Sequence, residues 1–188
     1  SPSKVADSSI GGRMESVPAP KTTQIQAQDV FRPVLLRGLT AAIYALLSIF
    51  WVGADEKVLS YSTAAFLVVT GVFMWQYVSV DSAPVKSRGP YALGAGLMLM
   101  AGIATIFATT TLWIGILAAF AFLVTGLVEL YVFFTLRTEF PPFRNQLVTG
   151  VVGLILAAAT LFGFNMDAHA MFGVIGGGAI VLAVFVLI

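Results

Sequence analysis

The sequence predicts an all-α polytopic membrane protein, six transmembrane helices arranged as three repeated hairpins. Three observations carry this reading. Hydrophobic residues make up 59% of the 188-residue chain and charged residues only 10%, against about 25% charged in a soluble domain. The apolar residues gather in runs close to the ~20 residues that an α-helix needs to cross a ~30 Å hydrocarbon core. A glycine-marked pattern also recurs, with Gly38, Gly94 and Gly150 spaced by 56 and 56 residues.

Residues 1–31 read as a polar N-terminal tail ahead of the membrane domain at 32–188. Ser1 to Val30 is rich in Ser and Pro and almost free of apolar periodicity. Such a stretch buries too little apolar surface to offset its ordering entropy, so it is expected to be disordered unless it lies on its own helices or docks on a partner. It lacks the short apolar core of a signal peptide.

The apolar runs follow at approximately 34–52, 58–80, 90–108, 112–136, 147–164 and 169–188. Unbroken runs of this kind favour helices, which satisfy every backbone group within lipid. The separators carry charge or breakers, as in Gly53 to Lys57, Asp81 to Pro90, and Arg137 to Asn145 with Pro141-Pro142. Thr109-Thr110-Thr111 reads as a helix-ending turn that could cap the fourth span. The hairpin repeats run approximately 34–80, 91–136 and 144–188. Leu67 to Gly71 in the second span is matched by Phe122 to Gly126 in the fourth, and Gly176-Gly177-Gly178 lies near the corresponding place in the sixth.

Nine of the ten Lys and Arg fall on one side of this topology: Lys4, Arg13, Lys21, Arg32, Arg37, Lys86, Arg88, Arg137 and Arg144. Only Lys57 falls on the other. That bias places both termini in the cytoplasm. Trp51, Tyr61 and Trp113 near the outer boundary, and Trp75, Tyr77, Tyr91 and Tyr131 near the inner one, read as aromatic belts.

Chemistry-bearing residues are few. Cysteine is absent, His169 is the single histidine, and net charge is +1. Thiolate and multi-histidine metal or haem sites are therefore excluded within this chain, and nucleic acid is not an expected partner. No catalytic or cofactor-binding motif appears, so no enzymatic activity and no cofactor are expected. Glu129 is the one acid deep in an apolar run, and an intramembrane carboxylate is a candidate functional site. A proton-relay role would need neighbours such as Tyr44, Gln76 or Thr125; in a structural role Glu129 would pair with Arg37 or snorkel to the headgroups. Arg137 marks the inner end of the same span. His169, beside Asp167 at an outer helix end, could titrate with external pH or simply hydrogen-bond at the interface. Gly38, Gly71, Gly94, Gly126, Gly150, Gly173 and Gly177 read as helix-packing positions, because in lipid close approach replaces the hydrophobic drive.

The Leu35-Leu36-Arg37-Gly38 opening, the Leu67-Val68-Val69-Thr70-Gly71 step and Thr125-Gly126-Leu127-Val128-Glu129-Leu130 together resemble the HdeD-like family of bacterial acid-resistance membrane proteins. The resemblance covers residues 32–188 and departs at the tail and at the third hairpin, which lacks the Thr-Gly pair. It implies a small inner-membrane protein without established catalytic residues, linked in some members to acid stress. Three expectations follow: an accessory subunit packed against a larger complex such as a respiratory complex, a stand-alone stress-response protein, or a small transporter using Glu129. Membrane lipids are partners in each.

Overall fold

The computed structural model describes residues 21–81, 83–137, 144–163 and 165–187. Within them the chain forms six helices: α1 (Lys21–Phe50), α2 (Glu56–Ser79), α3 (Val85–Ile106), α4 (Thr111–Leu136), α5 (Arg144–Phe162) and α6 (Ala168–Leu187). Five are long and apolar enough to cross a membrane, α1 through its part Phe31–Phe50. The apolar part of α5, Gln146–Phe162, is shorter. At ~1.5 Å per residue it covers about 25 Å rather than the ~30 Å of hydrocarbon.

One boundary differs from the sequence reading. The α1 helix starts at Lys21, ten residues inside the stretch expected to lack structure, and continues through Pro33. An amphipathic or apolar helix can draw its polar neighbours into register, because propagation adds a hydrogen bond per residue while nucleation has already been met. The rest of the tail, residues 1–20, and the 138–143 loop with Pro141-Pro142 lie outside the described residues.

The starts of α2, α4 and α6 are capped by short polar side chains, whereas α3 begins after Pro84 without a side-chain cap. Asp55 Oδ1 accepts from Val58 N at 2.8 Å and Asp167 Oδ1 accepts from Ala170 N at 2.7 Å. Thr110 Oγ1 accepts from Trp113 N at 3.4 Å, as expected for the cap of the fourth span. Gly53 makes its turn with φ 83°, a left-handed conformation that glycine adopts without strain. At the other end of the bundle, Arg88 donates to the carbonyls of Val80, Asp81 and Ala83 at 3.3, 2.7 and 3.1 Å. Those carbonyls belong to the connection that follows the end of α2 at Ser79, and Val80 O also accepts from Ala83 N at 3.0 Å. Arg88 thus fastens the α2–α3 connection as well as carrying charge.

The most extensive packing joins α2 to α3, α4 to α5, and α1 to α6, while α2, α4 and α6 also meet one another at the centre. A contiguous core runs through these elements: Leu67 and Met74 of α2, Ile114 and Phe122 of α4, and Met171, Phe172 and Ile175 of α6 are all buried. Tyr44 of α1 enters it between Phe66 and Phe172, with ring centroids 4.8 and 5.3 Å away. Its hydroxyl shares a 2.9 Å hydrogen bond with Thr63.

Small residues set the close approaches. A Cβ placed on Gly126 would lie 2.9 Å from Gly150 O and 3.0 Å from Leu154 N, so the α4 and α5 backbones are nearly touching. Gly71 meets Leu99 and Ala95 of α3, Gly38 meets Val186 and Leu187 of α6, and Gly94 meets Met74 and Val128. In α6, Gly176 lies against Ser48 of α1 and Gly178 against Leu156 of α5. Gly173 and Gly177 differ from the expectation of packing inside the bundle: both are exposed, with nothing within 4 Å of a built Cβ. The helical step of ~100° explains this, since the consecutive Gly176, Gly177 and Gly178 must face three directions and Gly173, four residues before Gly177, shares its face.

Candidate functional site: a buried ion pair between four helices

At the end of the bundle that carries Arg32, Arg88 and Arg137, four helices converge on one carboxylate. Glu129 of α4 is 3% exposed. Its Oε1 accepts from Nη1 of Arg37 on α1, forming an ion pair. Its Oε2 accepts from the Tyr91 hydroxyl of α3 at 2.7 Å. The Tyr91 oxygen in turn accepts from Gln146 Nε2 of α5 at 3.0 Å. The network has one direction. A carboxylate can only accept, so Tyr91 must donate its O–H in the hydrogen bond, and Gln146 must then present its amide nitrogen rather than its oxygen. Burying either charge alone in hydrocarbon is costly, and mutual pairing with added hydrogen bonds is what makes the carboxylate tolerable there.

The backbone brings these groups together through its glycines. Gly94, three residues after Tyr91, lies against Val128, so α3 sits close enough for the phenol to reach Glu129. Gly38, beside Arg37, lets α6 pack tightly behind α1. Tyr91 also packs against Tyr77, with centroids 4.8 Å apart and the rings tilted by 51°.

Of the relay neighbours expected for Glu129, none occupies that place. Tyr44 bonds Thr63, Gln76 is exposed, and Thr125 donates to Ala121 O at 2.6 Å. The pairing with Arg37 is the arrangement the structure adopts. Tyr77 and Tyr91 are buried at 6% and 5% exposure rather than facing an interfacial belt, whereas Trp51, Tyr61, Trp75, Trp113 and Tyr131 are exposed. The sequence reading missed Tyr91 and Gln146 as partners. The signal available was depth: Tyr91 opens its span at the same end where Glu129 nears the close of its own.

Arg137 lies outside the cluster, its guanidinium carbon 5.7 Å from the Phe134 ring centroid. His169 is exposed at the opposite end, where residues 53–57 and 167–169 line a shallow groove. Asp55 and Asp167 in that groove are committed to capping α2 and α6. Among the described residues no group of three or more His, Cys, Asp or Glu could hold a metal ion.

Tyr91→Phe tests the network directly. It removes a donor from Glu129 and an acceptor from Gln146, and is expected to destabilise the protein by about 1–3 kcal/mol. Thermal unfolding in detergent measures it; an unchanged midpoint would show that the phenol contributes nothing net.

These features define a multi-pass helical membrane protein with a neutralised polar cluster buried between its helices. The family described as a short repeat of unknown function (DUF308) matches residues 36–107 and 106–162. The two matches cover more than half of the chain, and the protein belongs to that family. The second match takes α4 together with α5, the pair with touching backbones. No curated protein and no solved structure matches the chain.

Proposed function

We propose that this protein is a non-enzymatic integral membrane subunit that packs against a larger membrane protein complex, for example a respiratory complex. The observation that carries the reading is the state of Glu129. Both of its oxygens are engaged by this chain's own Arg37 and Tyr91, which makes it a helix clamp rather than a free proton or ion acceptor. Gly173 and Gly177 add support, since they offer a small-residue surface that meets no helix among the described residues.

The proposed architecture is three hairpins closed into a ring. Gly38, Gly94 and Gly150 meet Leu187, Met74 and Leu130 respectively, each on an even-numbered helix. Met74 follows Gly71, and Leu130 follows Gly126, by about one turn, which supports equivalent positions in successive copies. Charge bias supports cytoplasmic termini, with the residues ahead of α1 available to the partner, and the HdeD-like resemblance supports a bacterial inner membrane.

Purification in mild detergent is expected to recover larger partners in fixed stoichiometry, and deletion of residues 1–20 to weaken their retention. A monodisperse protein free of partners, with its cellular phenotype intact after the deletion, would remove the proposal. Family membership favours a second reading, because the HdeD-like proteins belong to this repeat family. On that reading a knockout lowers survival at low external pH, and unchanged survival counts against it. A third, transport through Glu129, expects flux in liposomes that Glu129→Gln abolishes; absence of wild-type flux defeats it.

A further inference from the structure

We propose that Arg37, the cation of the buried pair, is hydrated within the membrane by water held in two small pockets, one on either side of it along the bundle. Two small cavities bracket the guanidinium. The first, about 20 Å³, is lined by Arg37, Ala41, Phe66, Thr70, Phe122 and Thr125 among others. The second, about 40 Å³, is lined by Pro33, Arg37, Met74, Tyr77, Tyr91 and Gln146 among others. Pro33 and Ala41 lie one turn to either side of Arg37 on α1, so the cavities flank it lengthwise. A buried water needs about 10–15 Å³ of such space and two to four polar partners.

The orphaned polar atoms fall in these two places. Thr70 Oγ1, Tyr77 Oη and Gln146 Oε1 are buried without a hydrogen-bond partner among the described residues. Thr70 lines the first cavity; Tyr77 and Gln146 line the second. Ser87 lies near the Tyr77 hydroxyl and donates its own hydroxyl to Pro84 O at 2.8 Å, so it can only accept from Tyr77, which leaves the tyrosine oxygen's lone pairs for the cavity. Thr70 is 3% exposed and Tyr77 6%.

Thr70 is the more telling of these. A threonine inside a helix ordinarily satisfies itself by donating to the carbonyl one turn back. Thr40, Thr105, Thr125, Thr135 and Thr160 all do so. Thr70 shares the Thr-Gly step with Thr125 yet makes no such bond. Its hydroxyl is therefore free for a ligand in the cavity it lines.

The chemistry selects water. Arg37 and Glu129 cancel in charge, so the site has no call for a counter-ion, and the first cavity admits little more than one water. In it, an Arg37 N–H donates, Thr125 Oγ1 accepts and Thr70 Oγ1 can do either. In the second, Arg37 donates again, Gln146 Oε1 accepts and the Tyr77 hydroxyl completes the set. The guanidinium has five N–H donors and Glu129 takes one, leaving enough for both sites.

The test turns on the sign of a stability change. Valine matches threonine in shape and lacks its hydroxyl. If a water is bound, Thr70→Val strands it and the unfolding midpoint falls by about 2–4 °C. If the cavity is dry, the variant removes an unsatisfied group and the midpoint is unchanged or higher, which overturns the proposal. A high-resolution map of the unmodified protein in nanodiscs gives an independent reading. Ordered density within about 3 Å of Thr70 Oγ1 and of Tyr77 Oη is expected. Empty cavities in a map that resolves other buried waters would overturn it, whether or not the variant folds.

Discussion

Glu129→Ala is expected to lower the stability of the protein by about 3 kcal/mol, the low end of the range for breaking a buried ion pair. The cost arises less from the lost bond than from Arg37, whose charge is left in an apolar surrounding. Its side chain is 19% exposed, which moderates the penalty. The midpoint should fall by roughly 6–12 °C for a chain of this size. The double variant Arg37→Leu, Glu129→Leu is the informative comparison. With both charges gone the bundle should return to within about 1 kcal/mol of the parent, since well-packed apolar replacements of buried pairs are often neutral. Tyr91 can then donate to Gln146 once that amide turns over. Thermal unfolding of the double variant and of Arg37→Leu and Glu129→Leu alone decides the matter. If the double variant loses the sum of the two single losses, the residues act independently and the clamp does not exist.

Gly126→Val is expected to produce the second large effect, by separating α4 from α5. The contacts a Cβ would meet there are Gly150 O and Leu154 N, backbone atoms that no rotamer change can move. Gly126→Ala should cost about 1–3 kcal/mol from overpacking, partly offset by up to ~1 kcal/mol of helix propensity. Valine, larger and branched, should exceed it. Gly173→Ala and Gly177→Ala retain the propensity gain without the clash, so both should leave the isolated protein unchanged or slightly more stable. Circular dichroism melts across the four variants give the order. Equal losses at Gly126 and Gly173 would refute the assignment of packing faces.

The contrast between these glycines marks how far the sequence could be read. The helices were legible because lipid imposes a length and a polarity that composition alone displays. Arg37 was legible as a partner for Glu129 because opposite charges at similar depth have few other places to go. Tyr91 and Gln146 were not, since a tyrosine near a span end looks the same whether it faces headgroups or a carboxylate. The Gly173–Gly177 spacing marks a smooth helix face but carries no information on which neighbour, if any, covers it. Rotation about the helix axis is settled by contacts between distant segments. The outward turn of Gly177 follows from Gly176 facing Ser48 and Gly178 facing Leu156.

The pairing of α1 with α6 has a consequence for biosynthesis. Membrane helices leave the translocation machinery in sequence order, so α1 enters the bilayer before the helix that covers its Gly38 and Ser48 positions has been made. Arg37 likewise waits for Glu129, ninety-two residues later. During that interval α1 must stay in the bilayer with an unpaired cation and an open seam. The Arg32 and Arg37 charges near its start can keep to the headgroup region in the meantime. Assembly is therefore a delayed closure.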